Sequence, residues 1–163
     1  MDGDKLALYA RGFLLVRLHV LDTEHPDRIA KWVSDRIKWC VGNDFPEGTP
    51  AIGVIGNKGQ LLAGVVYHDY QEDYRTIQIS MAADSPIWAS KGNIRGLLHY
   101  PFRQLDCFKV WISTMHDKHH NIKTFEHVGF KREAVLAHQY GYKKHAWIGR
   151  MLQPEFAKLY EDT

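Results

Sequence analysis

The segment Asn121-Ile122-Lys123-Thr124-Phe125-Glu126-His127-Val128-Gly129-Phe130-Lys131-Arg132-Glu133 says more about the fold than any other stretch of the chain. Ile122, Phe125 and Val128 recur at helical spacing, so one side of a short helix is apolar. Gly129 follows where a helix ends on a residue free to take a positive φ. Residues 130–136 then suit a strand. Upstream, Cys107-Phe108-Lys109-Val110-Trp111-Ile112-Ser113 is another strand-like run, which makes a strand–helix–strand unit. A last strand over residues 144–152 is reached through Tyr140-Gly141-Tyr142.

Working back towards the start, Asp84-Ser85-Pro86-Ile87-Trp88-Ala89-Ser90-Lys91-Gly92 is a turn leading into a helix that carries Ile94, Leu97 and Leu98. Before it come three strand-like runs, residues 51–55, 61–70 and 76–83. Gly56-Asn57-Lys58-Gly59 fits a tight hairpin between the first two. Asn43 to Pro50 is dense in turn formers. Asp22-Thr23-Glu24-His25-Pro26 starts an amphipathic helix through Ile29, Val33, Ile37, Cys40 and Val41, closed by Gly42-Asn43. Val16, Leu18 and Val20 alternate with Arg17 and His19, which predicts an opening strand.

A meander followed by strand–helix–strand units predicts an α/β (α+β) fold. Its mixed, mainly antiparallel sheet has six or seven strands with helices on both faces, in one domain over residues 1–163. Composition agrees. The chain has 163 residues, 45% hydrophobic and 25% charged, as a globular domain requires. A formal net charge of +2 argues against a dedicated polyanion binder, although ten histidines add charge below neutral pH. Two cysteines, Cys40 and Cys107, form neither a disulfide framework nor a metal motif, so a reducing, cytoplasmic compartment is expected. No apolar run reaches the ~18 residues of a membrane span, so no membrane partner is expected.

The element order resembles that of the GNAT superfamily of N-acetyltransferases, and three segments carry the resemblance. Gly64-Val65-Val66-Tyr67-His68-Asp69-Tyr70 is similar to the third strand of phage and prophage members. Gly129-Phe130, closing the helix quoted above, resembles the family's helix-to-strand junction. The turn into the central helix resembles the pyrophosphate loop, Arg/Gln-x-x-Gly-x-Gly/Ala, in a degenerate form: Ala89 and Ile94 stand at two motif positions and only Gly92 is kept. In such a loop, consecutive backbone N–H groups and the helix dipole hold a diphosphate.

The resemblance implies acetyl-CoA as co-substrate, an amine acceptor and direct transfer of the acetyl group. It implies a cofactor site of Met81, Ala82 and Ala83 beside the thioester, and Ser90, Lys91, Gly92, Asn93, Ile94 and Arg95 at the diphosphate, joined by Lys118, Asn121 and Phe125. The two alanines either let the pantetheine arm lie close or pack beneath Trp88. The family's asparagine falls on Lys118 and its acidic tyrosine on Phe125, whose ring donates no proton.

Acetyl transfer to an amine needs a polarised carbonyl, an uncharged nitrogen and a proton for the sulfur. His68 and Asp69, at a strand end, are the candidate bases, with Asp84 a further one. Tyr140, with Tyr142 beside it, is a candidate to supply the sulfur's proton or to line the acceptor pocket. His116-Asp117-Lys118-His119-His120 resembles a metal cluster, but adjacent ligands converge poorly and a solvated loop is expected, with no metal.

Lys118, Lys123, Lys131, Arg132, Lys143 and Lys144 leave a nucleic acid as an alternative acceptor, in the manner of Mom-like DNA or tRNA-directed enzymes of this fold. A third alternative is a non-catalytic binding protein. Trp32 and Trp39, expected as exposed aromatic edges, would suit a homodimer.

Overall fold

The computed structural model describes residues 20–41 and 44–162. The Val16 and Leu18 part of the expected opening strand and the helix-closing Gly42-Asn43 lie outside them. Seven strands form one sheet: β1 (Val20–Asp22), β2 (Ala51–Ile55), β3 (Leu61–Gln71), β4 (Thr76–Ala83), β5 (Lys109–Met115), β6 (Lys131–Leu136) and β7 (Ala146–Leu152). Their spatial order is β1-β2-β3-β4-β5-β7-β6. Every neighbouring pair is antiparallel except β4 and β5, which run parallel. That one parallel pair needs a crossover, supplied by helix α3 (Lys91–His99).

Period-two alternation assigns the two faces. Ile77 and Ile79 on β4, Val110 and Ile112 on β5, and Trp147 and Met151 on β7 enter one core with Ile94 and Leu97 of α3 and Phe125 and Val128 of α4 (His119–Val128). The opposite face of the meander is covered by α1 (Pro26–Arg36), whose Ile29 and Val33 pack over Val66 and Ala82. This helix sits low because β3 offers no side chain beneath it at Gly64. A Cβ there would lie 2.8 Å from Val33 Cγ2 and 3.0 Å from Ile29 Cγ2.

Helix ends follow local chemistry. Ser90 caps α3, its Oγ accepting the Asn93 N–H at 3.1 Å. Gly129 ends α4 at φ +121°, its N–H donating to the Phe125 and Glu126 carbonyls, as the quoted segment predicts. Tyr67 reaches across from β3 and donates its buried hydroxyl to the Leu97 carbonyl at 2.6 Å, tying the meander to α3.

Two elements differ from expectation. The first helix is not continuous: it breaks at Ile37, whose N–H is shared between the Val33 and Ser34 carbonyls, and resumes as α2 (Lys38–Val41). The central helix ends in a π turn, Tyr100–Gln104, with Pro101 in it to remove one N–H donor. Among the described residues no helix is long and apolar enough to cross a membrane.

Candidate active site

β4 and β5 part after four rungs. Thr76, Ile77, Gln78 and Ile79 face Lys109, Val110, Trp111 and Ile112, and there the ladder stops. β4 continues to Ala83 against β3, and β5 continues to Met115 against β7. Residues 80–83 and 113–115 therefore form the two sides of a wedge. The wedge opens into a cleft of about 800 Å³ lined by residues 80–86, Trp88 and Ala89, with Ile112, Ser113 and Thr114 opposite and the first turns of α4 at its mouth.

A second pocket of about 370 Å³ lies on the α1 face of the sheet, bounded by Phe45, His68, Gln78, Trp111, Tyr140 and Ile148. Ser80 and Ser113 line both cavities. Each is the first residue beyond the last paired residue of its strand. The two cavities thus share a pair of serines at the apex of the wedge.

Each hydroxyl is backed by a proton-carrying group. His68 Nε2 lies 2.8 Å from Ser80 Oγ, and His68 Nδ1 lies 2.7 Å from Asp69 Oδ2. Burial pushes the His68 pKa down, and the hydrogen bond and charge of Asp69 partly oppose that. On the other strand the Ser113 and Tyr140 hydroxyls are hydrogen-bonded to each other. Phe45 packs on His68 at 5.2 Å between ring centroids, and Trp39 sets its edge on Tyr140 at 6.1 Å. The break at Ile37 matters here, because it starts the short helix that sets Trp39 against Tyr140.

The cleft rim is cationic. Lys118 and Lys123 line it, with His120 and His127, and Lys118 Nζ lies 5.4 Å from the Trp39 ring centroid. Arg36 stacks its guanidinium on Trp32 at 3.6 Å and binds Asp84 at the end of β4. That bond holds the Asp84 carboxyl below the usual carboxylate range, so Asp84 is an ion-pair partner and not a free base. Among the described residues no group of three or more His, Cys, Asp or Glu side chains is placed to hold a metal ion.

The residues expected at the site fall into three groups. Met81, Ala82, Ala83, Lys118, Asn121 and Phe125 line the cleft, and His68 and Tyr140 line the second pocket. Asp69 stands behind His68, exposed, with a φ of +54°. The loop residues divide: Ser90 caps α3 and Lys91, Gly92 and Arg95 are exposed, whereas Ile94 is in the core and Asn93 is buried, donating to the Trp88 carbonyl at 2.8 Å.

Phe125 also belongs to the core, stacked on Trp147 at 6.2 Å. Trp32 and Trp39, expected as exposed edges, are half-buried under Arg36 and against Tyr140. His119 and His120, expected in a solvated loop, form the first turn of α4.

No protein-family model matches the chain, and no curated protein matches it in sequence. Solved structures do match. The spermidine N-acetyltransferase of Vibrio cholerae in complex with CoA and spermine superposes with a TM-score of 0.64 at 14% identity, over 85% of this chain and 97% of that one. A mutant form of the spermidine/spermine N-acetyltransferase from the same organism gives 0.66 at 14% identity, over 88% and 100%. The chain has the GNAT fold. At this identity the likeness concerns backbone architecture alone.

Proposed function

We propose that this GNAT-fold protein is an N-acetyltransferase that moves an acetyl group from acetyl-CoA to an amine by direct transfer. The observation that carries the proposal is the wedge between β4 and β5, whose apex residues Ser80 and Ser113 line both the cleft and a second, partly aromatic pocket. A donor entering from the cleft side and an acceptor entering from the α1 side would meet there. The related fold from Vibrio cholerae, bound to CoA and spermine, supports both kinds of ligand.

The chain's own groups suit such a donor. Residues 80–83 offer backbone N–H and C=O groups that have no partner across the wedge, and Ala82 and Ala83 leave room for a slender arm. Ser85, Lys118 and Lys123 in the cleft provide donors and positive charge for phosphate groups, and the α3 N-terminus at Ser90 to Gly92, exposed and outside the cleft lining, offers further N–H donors. Asn93 and Ile94 support that helix from below and take no direct part. The acceptor sits among Phe45, Trp111 and Tyr140, with His68 and Asp69 on the basic side and Tyr140 on the acidic side. Calorimetry with acetyl-CoA tests the proposal: saturable one-to-one binding is expected, and no heat of binding at millimolar acetyl-CoA overturns it.

A further inference from the structure

The imidazole of His68 does not face the wedge apex directly. Its Nε2 is engaged by Ser80 Oγ at 2.8 Å, and its Nδ1 by Asp69 at 2.7 Å. A base for a nitrogen at the apex would therefore have to act through the serine. The same holds across the wedge, where the Tyr140 hydroxyl is bonded to Ser113 and, of these two, Ser113 borders both cavities whereas Tyr140 borders the second alone. Ser80 and Ser113 occupy equivalent places, each one residue past the end of the β4–β5 ladder. The two strands thus present matched hydroxyls, one wired to an imidazole–carboxylate pair and the other to a phenol.

We infer that Ser80 and Ser113 are proton shuttles, Ser80 removing the acceptor's proton into His68 and Ser113 delivering the proton of Tyr140 to the departing sulfur. This deepens the acetyl-transfer proposal and rests on it. As the nitrogen–carbon bond forms, the nitrogen gives its proton to Ser80 Oγ while the Ser80 hydroxyl proton passes to His68 Nε2. As the carbon–sulfur bond breaks, the sulfur takes the Ser113 proton and Ser113 is refilled from Tyr140. His68 then loses one proton to solvent and Tyr140 regains one, so protons balance over the cycle.

Asp69 is a positioning residue: its carboxylate fixes the Nδ1–H tautomer and leaves Nε2 as the acceptor. The titratable and charged groups around His68 are Asp69 on its own strand, Asp44 on the loop that carries Phe45, and Tyr140 across the pocket. Asp44 is engaged by Ser34 at 2.9 Å and by Lys31, so it does not compete for the imidazole.

The tautomer can be read without any substrate. Nitrogen-15 spectra of the ligand-free protein are expected to show His68 protonated on Nδ1 alone near neutral pH. An Nε2–H tautomer would make Ser80 an acceptor and overturn the shuttle. For turnover, CoA release from acetyl-CoA is followed with 2-phenylethylamine and with water as acceptors.

Ser80→Ala and His68→Gln are each expected to lower kcat about 100-fold, the usual contribution of one acid–base group, with acetyl-CoA affinity unchanged by calorimetry. Ser80→Thr, which keeps the hydroxyl, is expected to recover most of the rate. The low-pH limb of the wild-type rate profile is expected to disappear in His68→Gln. Ser113→Ala and Tyr140→Phe are expected to lower kcat alike, with their double variant no worse than either. Unchanged rates in folded Ser80→Ala that still binds acetyl-CoA overturn the shuttle and leave the function standing. An acetyl adduct on Ser80 in quenched mass spectra also overturns it, because the serine would then be a nucleophile. Wild-type protein that does not bind acetyl-CoA overturns the function itself.

Discussion

Arg36 and Asp84, 48 residues apart, are joined by two hydrogen bonds of 2.8 and 2.9 Å between guanidinium and carboxylate. The pair fastens the last turn of α1 to the end of β4, at the rim of the cleft. Both side chains are partly solvated, at 35% and 49% exposure, so solvent screening holds the stability contribution below about 1 kcal/mol. Arg36→Met is expected to shift the urea midpoint only slightly while weakening acetyl-CoA binding several-fold in calorimetry. Because Arg36 lowers the Asp84 pKa, the bond's contribution is complete above the ordinary carboxylate value and is lost as pH falls through the lower, folded one.

His68 imposes a second pH dependence, of the same sign. Burial lowers its folded pKa below the 6.5 of a free imidazole, so the unfolded chain takes up a proton first as pH falls. Its neutral form therefore stabilises the fold fully above that value, and the stability is lost as pH drops towards the folded pKa. Urea midpoints measured at about pH 7.5 and about pH 5 are expected to fall less in His68→Gln than in the wild type.

Two glycines should respond oppositely to alanine. At Gly64 the new methyl would meet Val33 and Ile29 of α1 within 3.0 Å, and overpacking of this kind costs about 1–3 kcal/mol. At Gly92, in the first turn of α3, nothing lies within 4 Å, so Gly92→Ala is expected to gain up to about 1 kcal/mol from helix propensity. Denaturant titration of the two variants checks both signs. If the α3 N-terminus holds the CoA diphosphate, Gly92→Ala also weakens acetyl-CoA binding despite the gain in stability.

Cys107 is fully buried, and burial pushes its thiol pKa up to about 11. The thiolate, which is the reactive form, is scarce at neutral pH. Alkylation mapped by mass spectrometry is expected to leave Cys107 unmodified in native protein and to label it fully in urea.

The meander and the α4 junction were legible because their signals are local: alternation in β4, and Ile122, Phe125 and Val128 followed by Gly129. The break at Ile37 was not, since neither glycine nor proline marks it and the apolar spacing runs through it. His68 and Tyr140, candidates by their chemistry alone, both line the second pocket. Ser80, Ser113, Phe45 and Trp111, which line the same pocket, carry no such signal, because on an isolated strand a serine in alternation with isoleucine reads as solvent-facing. The usable signal was position. β4 and β5 lie in the middle of a seven-stranded sheet, where Gln78, Ser80 and Ser113 would lie under cover on an ordinary face. Polar residues at such places mark a cavity, but only once the strand order is known.

The early end of the β4–β5 ladder also bears on solubility. A strand edge with open hydrogen-bonding groups invites another polypeptide to add to it, and sheets usually protect their outer edges with charge. β6, the outermost strand on one side, does so with Lys131, Arg132 and Glu133. Within the wedge the two open edges face one another, each shielded by the strand opposite. A slim, flexible molecule can thread between them, whereas a neighbouring protein strand, held at about 4.8 Å from each partner, has no room near the apex. The open main-chain groups in the middle of the sheet are thereby kept from edge-to-edge pairing near the apex.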